Sequence, residues 1–235
     1  RRQRQMCIRD RGYLACGYIG KGRLEEPERI VQLAESYFSN ENSGLLEGKR
    51  VLITAGPTRE QIDPVRFFSN RSTGKMGYAF AEEAAKMGAR VTLIAGPTAL
   101  DDPAGVDVIH VQSAEDMYQA ALSVFDESDI VIKTAAVADY RPTHIHDQKM
   151  KKKDGGLVIE LERTKDILKA LGERKTKQIL VGFAAETQHV EDYAKQKLEK
   201  KNLDLIVANN ITAEGAGFGT ETNIVTVFHL SLIHI

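Results

Sequence analysis

Lysines gather after a buried strand in the stretch Asp129–Lys153, DIVIKTAAVADYRPTHIHDQKMKKK. The apolar run DIVIKTAAVA delivers one carboxylate, Asp139, to its C-terminal end. The chain then breaks at Asp139-Tyr140-Arg141-Pro142 and runs out to Lys149, Lys151, Lys152 and Lys153. In an open α/β sheet, ligands bind in the crevice outside the carboxyl ends of the strands. Ammonium groups placed there suit a polyanion, most simply a triphosphate; the same run also reads as a solvated surface. Asp139 would hold a sugar hydroxyl or a metal-bound group, or cap a turn before Pro142.

Three other places carry side chains with chemical potential. In Ala55-Gly56-Pro57-Thr58-Arg59-Glu60 and the following Asp63-Pro64-Val65-Arg66, both arginines are planar donors suited to a carboxylate or phosphate, or to a structural salt bridge. Ser69-Asn70-Arg71-Ser72-Thr73-Gly74-Lys75-Met76-Gly77 opens a helix, so its first N–H groups would accept an anion, be capped by Ser72 or Thr73, or both. Its spacing is neither GxxxxGK[ST] nor GxGxxG. At Gly182-Phe183-Ala184-Ala185-Glu186-Thr187, small residues would let a flat group approach, with Phe183 stacking on a base, or would serve tight helix–sheet packing. Lys197 and Lys201 share one face of the helix that follows. His144 and His146 sit near no carboxylate or cysteine set, which disfavours zinc. The sequence offers no obvious Ser–His or Cys–His pair.

These residues need a scaffold, and the chain supplies one from Gly48 onward. Short apolar runs at 50–55, 90–95, 107–111, 129–135, 178–183, 203–208 and 223–229 predict strands, with a weaker one at 157–162. Helical patterns at 74–88, 114–125, 165–173 and 188–201 alternate with them. In the first, Met76, Phe80, Ala84 and Met87 form one face, and Gly88 is suited to end the helix. Strands alternating with helices of this length imply βαβ units. Runs that are apolar throughout imply strands covered on both sides. The expected fold is α/β: a three-layer, Rossmann-like, open and mostly parallel sheet with helices on both faces. LITAGPT and LIAGPT echo each other and read as two strands ending in the same Gly-Pro turn.

The N-terminal region is different. RRQRQMCIRDR has no period and reads as a basic tail or a non-native segment; SLIHI at the other end raises the same question. Residues 12–27 are glycine-rich, 28–39 form a short amphipathic helix, and Asn40–Gly44 is linker-like. With 235 residues the chain suits one domain plus a fragment. A net charge of −1 gives no global field for nucleic acid, and no apolar run approaches a membrane span. No signal pattern is present, and two cysteines near the N-terminus, Cys7 and Cys16, fit a reducing cytoplasm.

Taken together, SNRSTGKMG, AAVADYRP with its following KMKKK, GFAAET and KNLDLIVANN resemble phosphopantothenate–cysteine ligase, from about Gly48 to Leu230. LACGYIGKGRLEEP resembles the end of phosphopantothenoylcysteine decarboxylase, the other half of a bifunctional bacterial protein. The expected division is 1–47, a decarboxylase remnant plus linker, and 48–235, a ligase domain. The resemblance implies that CTP activates 4'-phosphopantothenate as an acyl-cytidylate, releasing pyrophosphate, and that cysteine then forms the amide and releases CMP. It implies Lys149 in cytidylate formation, Asn70 in its conversion with cysteine, and Cys16 as the catalytic acid of the decarboxylase only. It implies CTP contacts from Lys133, Thr134, Ala135, Asp139, Lys165, Asp166, Ile167, Leu168, Phe183, Lys197 and Lys201. Family members often have glycine where this chain has Lys133. Mg2+ is the implied cofactor, with no residue assigned to it; FMN belongs to the missing decarboxylase body, so no decarboxylase activity is expected. A homodimer is implied. The competing classes are a non-catalytic nucleotide-binding module and an NAD(P) oxidoreductase. The latter needs a glycine fingerprint after the first strand and an acidic end to the second, which here is Ala95-Gly96-Pro97.

Overall fold

The structure is a computed structural model that describes residues 10–13, 19–23, 44–152, 155–186, 190–210 and 225–229. Cys16, Lys153, the expected helix at 28–39 and the terminal SLIHI lie outside them. The chain divides into two compact units, Arg1–Leu45 and Leu46–Ile235. In the first, β1 (Asp10–Tyr13) pairs antiparallel with β2 (Ile19–Arg23). Asp10 and Arg11 therefore belong to a strand, where a tail without structure is expected; strands this short and glycine-rich leave no readable period.

The second unit begins β3 (Arg50–Ala55), β4 (Arg59–Gln61), β5 (Phe67–Ser69), α1 (Lys75–Lys86), β6 (Arg90–Ala95), β7 (Val106–His110) and α2 (Ala114–Phe125). It continues β8 (Ile130–Lys133), β9 (Tyr140–Pro142), β10 (Leu161–Arg163), α3 (Ile167–Arg174), β11 (Ile179–Glu186), α4 (Val190–Lys200), β12 (Leu205–Asn210) and β13 (Val225–His229). Among the described residues, seven strands form one sheet in the order β7-β6-β3-β8-β11-β12-β13. All neighbours are parallel except β13, which runs antiparallel to β12.

The sheet forms because VLITA, VTLIA and IVIK are β-branched and apolar, and burial selects them on both faces. Alternate residues serve two cores. Leu52, Ile94, Val131, Leu180 and Ile206 pack with Met117, Phe125, Leu171 and Leu198 of α2, α3 and α4. Val51, Ile53, Val91 and Leu93 pack with Tyr78, Ala81 and Ala84 of α1. Helices thus cover both faces, and the α/β, Rossmann-like architecture holds. Among the described residues, no helix is long and apolar enough to cross a membrane.

Helix ends follow local chemistry. Ser113 caps α2 by accepting from the Asp116 N–H at 3.1 Å, while Asp116 accepts from the Ser113 N–H at 2.9 Å. At α1 the sequence favours Ser72 or Thr73 as the cap, yet the N-cap is Gly74, with φ 82° and no side-chain cap bond. Ser72 instead accepts from the Gly74 N–H at 3.3 Å, inside the preceding turn. At the other end Gly88 adopts φ 90° and donates to the Ala85 carbonyl at 3.0 Å.

Two ribbons lie outside the main sheet. β4 pairs with β5, and β9 with β10, each antiparallel over three residues. The weak strand expected at 157–162 is realised only as β10, paired with β9 rather than in the main sheet. The strand expected to reach Ala135 ends at Lys133. There Thr134 donates to the Thr54 carbonyl at 2.6 Å, and the Ala135 N–H finds the Thr54 hydroxyl at 3.3 Å.

Candidate active site

From β3 the chain builds β6 and β7 on one side, then returns to lay β8 on the other. The reversal makes a switch point between the carboxyl ends of β3 and β8, the place where such sheets open a ligand crevice. The two strand exits are laced together. Pro57 and Ala136 form a parallel bridge, and Ala136 donates to the Gly56 carbonyl at 2.9 Å. The buried Thr58 hydroxyl accepts from the Ala138 N–H at 3.0 Å. Asn70, directly after β5, donates its amide to the Ala136 carbonyl at 2.8 Å. The structure therefore places Asn70 on the strand exit that carries Thr134, Ala135 and Asp139.

α1 enters beside the same point. A Cβ at Gly77 would stand 2.5 Å from the Ala55 Cβ and 2.6 Å from the Thr134 hydroxyl, so only glycine lets the helix come this close. The N-terminus of α1, which carries no side-chain cap, thus faces the switch point.

A charge cluster sits one strand over. Lys133, half-buried, donates to the Ala135 carbonyl at 3.2 Å. Burial lowers its pKa to about 8; Asp166 and Asp139 pull it back up, and Lys201 and Lys197 push it down. Lys201 binds Asp166 at 2.7 Å. Asp166 also caps α3 by accepting from the Lys169 N–H at 3.0 Å. Burial pushes the Asp166 carboxyl up, but Lys201, the Lys169 N–H and Lys133 together hold it below the usual carboxylate range. Five of the sequence-selected residues, Lys133, Asp139, Asp166, Lys197 and Lys201, are thus electrostatic neighbours. A lysine whose ammonium form is disfavoured chiefly by burial would be stabilised by a phosphate placed against it.

The remaining candidates divide. Phe183 follows Gly182, which is in register with Lys133, and its ring meets Phe80 of α1 edge-on at 5.7 Å. Lys165 turns to α2, pairing with Glu115 at 2.7 Å and lying over the Tyr118 ring at 4.8 Å. Ile167 and Leu168 bury their side chains in the core, leaving only main-chain groups for a ligand. Lys149 is exposed on the loop after β9. That loop is tied to the β4–β5 hairpin, where the His146 N–H meets the Ile62 carbonyl at 2.9 Å and the Met150 N–H meets Asp63 at 3.1 Å. Of the two arginines near the first strand exit, Arg59 lies over Phe67 at 4.7 Å and Arg66 pairs with Asp63 at 2.6 Å. Thr54, Thr58 and Asp63 carry no role in the sequence pattern, although Thr58 and Asp63 lie in the segment picked out for its arginines. The only signal was polar residues at a strand end, in ITAGPT and DPVR, where they are buried in full. Among the described residues, no group of three or more His, Cys, Asp or Glu could hold a metal ion.

Comparison with known proteins fits this geometry. Residues 46–232 match the model of the DNA/pantothenate metabolism flavoprotein C-terminal domain, and the chain belongs to that family. It is 69% identical over 218 residues to the coenzyme A biosynthesis bifunctional protein CoaBC of Bacillus subtilis, covering 92% of this chain and 54% of that protein. It is 50% identical over 224 residues to a cysteine/cysteine sulfinic acid decarboxylase of an unknown prokaryotic organism, covering 94% of this chain and 62% of that protein. The chain thus spans about half the length of the curated relatives it matches. In three dimensions it resembles the crystal structure of the C-terminal domain of CoaBC, with TM-score 0.69 and 54% identity over 80% of this chain and 85% of that one.

Proposed function

We propose that this chain is the ligase part of a coenzyme A biosynthesis protein, joining cysteine to 4'-phosphopantothenate at the expense of CTP. The observation that carries this reading is the switch point, where Asn70 is bonded to Ala136 beside the Lys133, Asp139, Asp166, Lys197 and Lys201 cluster. Such an arrangement can bind a triphosphate and present two partners to it.

In the first step, a carboxylate oxygen of phosphopantothenate attacks the α-phosphorus of CTP, and the bond to pyrophosphate breaks. Negative charge grows on the leaving pyrophosphate, so cations placed to receive it lower the barrier. Lys149 fills that role, with Lys133, Lys197 and Lys201 holding the nucleotide. Asp139 suits the ribose hydroxyls. The main chain of Thr134, Ala135 and residues 165–168 lines the nucleotide, and Phe183 meets the base. In the second step, the cysteine amine attacks the acyl carbon, CMP leaves, and the amine gives up a proton. Asn70 keeps its Oδ1 as an acceptor for that amine, because the bond to the Ala136 carbonyl engages only its Nδ2 side.

Mg2+ fits as a companion of the triphosphate rather than of a protein cage. The crevice offers Asp139 and an Asp166 already bound by Lys201, and Mg2+ is commonly held by one or two carboxylates plus substrate phosphates. When bound, it would neutralise phosphate charge. The assembly is a homodimer in a reducing cytoplasm. Apolar surface supports a partner: Val65, Phe67 and Phe68 on the β4–β5 hairpin and Tyr140 and Leu161 on the β9–β10 ribbon are exposed.

The test is pyrophosphate release from CTP and Mg2+. The expected outcome is release that requires phosphopantothenate and proceeds to CMP and amide only with cysteine. Lys149→Gln should lower release by about a hundredfold. CTP left intact under every condition would refute the reading.

A further inference from the structure

We propose that Asp63 is a positioning residue that, with Arg66, holds the loop bearing Lys149 by gripping the main chain of Met150. This rests on the reading of Lys149 given above and deepens it.

Asp63 is 1% exposed and accepts five hydrogen bonds. Two are local: its Oδ1 accepts from the Val65 and Arg66 N–H groups at 2.8 and 2.9 Å. They shape the turn between β4 and β5 and need nothing further from the residue. The Oδ2 atom does something else. It accepts from Arg66 Nε at 2.9 Å and Nη2 at 2.6 Å, and also from the Met150 N–H at 3.1 Å. Arg66 Nη2 in turn donates to the Met150 carbonyl at 2.7 Å. A carboxylate and a guanidinium thus take both main-chain polar groups of one residue that lies more than eighty positions away in sequence. Bonds that engage a charged group are stronger than neutral ones.

Lys149 precedes the gripped residue. Its loop is also fastened upstream, where the His146 N–H meets the Ile62 carbonyl. Both fastenings are on the turn of the hairpin whose second strand leads directly into Asn70. One rigid hairpin therefore carries one candidate residue covalently and the other through the Asp63–Arg66 grip. That fixes Lys149 relative to Asn70 and to the Ala136 exit, although Lys149 itself is exposed. Small errors in such placement are costly, since misplacement by about 1 Å can lower a rate about a hundredfold.

The test uses Asp63→Asn, which keeps the shape and one acceptor, and Arg66→Lys, which keeps the charge and loses the fork. Two readouts are taken on the full chain after thermal unfolding has identified the variants that fold. Limited trypsin digestion reports on the loop, whose Lys149, Lys151 and Lys152 are exposed sites. Cleavage there should speed up about tenfold in either variant, because the loop, less firmly anchored, opens more often. Pyrophosphate release should fall about tenfold or more in kcat with KM for CTP little changed. In a Lys149→Gln background, Asp63→Asn should cost less than about twofold. Unchanged trypsin cleavage in both variants would overturn the anchoring. An equal loss with and without Lys149 would overturn the route through that lysine. Failure of the ligase reading is separable: the unsubstituted chain would then release no pyrophosphate, and trypsin alone would decide the anchoring.

Discussion

Lys133 shows how a single residue can set the pH response of the crevice. Its pKa is lowered to about 8, first by burial and then by the neighbouring Lys201 and Lys197. The folded state thus holds this proton less tightly than the unfolded state, whose lysines titrate near 10.4. Between those values the unfolded chain binds more protons, so folding stability rises with pH across that window and not below it. A bound triphosphate reverses the balance, because it favours the ammonium form. CTP affinity, measured by calorimetry with Mg2+, should therefore be flat from pH 6 to 7.5 and fall by up to about tenfold per unit above about pH 8. Lys133→Met should weaken binding and remove the decline; a decline that persists in this variant would show that another group titrates. The Asn70 amide donates to the Ala136 carbonyl, whereas an aspartate offers only acceptors there. Asn70→Asp should loosen this contact and slow the cysteine step while leaving cytidylate formation.

The types of these residues were legible in the sequence, but many of their partners were not. Lys133, Asp139, Asp166, Lys197 and Lys201 come from distant segments yet act as one charge cluster. Only the fold shows that Lys165 spends its charge on Glu115, or that Ile167 and Leu168 are core residues. Asp63 illustrates the limit: nothing local in DPVR distinguishes a turn-forming carboxylate from one gripping Met150 across the fold.

At the level of elements, the main sheet was readable because its central strands β3 and β6 are β-branched, apolar and almost wholly buried. The edges of the elements were set by side-chain bonds that periodicity does not record, as where Thr134 turns β8 out of the sheet. The three-residue strands of the two ribbons are too short for any period, and their pairing is fixed by tertiary contacts. One element boundary carries a sharp prediction. The contact of α1 with β3 and β8 at Gly77 leaves no room for a methyl group. Gly77→Ala should cost about 1–3 kcal/mol of stability, measured by urea unfolding, despite the better helix propensity of alanine. Turnover should fall as well, since the N-terminus of α1 would be pushed from the switch point. A variant as stable as the parent would contradict the close approach.

For the whole molecule, the strand order explains why the candidate residues converge. β3, β6 and β7 repeat the outward course of one nucleotide-binding half, and β8, β11 and β12 that of the other. The order was not legible, because strand alternation says that a sheet is parallel and not which strands are neighbours. Exposed apolar residues on both ribbons give the unit a surface suited to a second copy. Sedimentation velocity should return twice the 26.0 kDa of the chain, and Phe68→Asp should shift it toward one; a monomer at micromolar concentration would contradict the homodimer.

The central claim is that one crevice activates a carboxylate with CTP and then delivers it to cysteine. Mass spectrometry of reactions containing CTP, Mg2+, 4'-phosphopantothenate and cysteine tests it most directly, comparing the unsubstituted chain with Asn70→Asp. The unsubstituted chain should give amide and CMP, and Asn70→Asp an accumulating acyl-cytidylate. Intact CTP with both proteins, or cysteine consumed at the parental rate by Asn70→Asp, would contradict the claim.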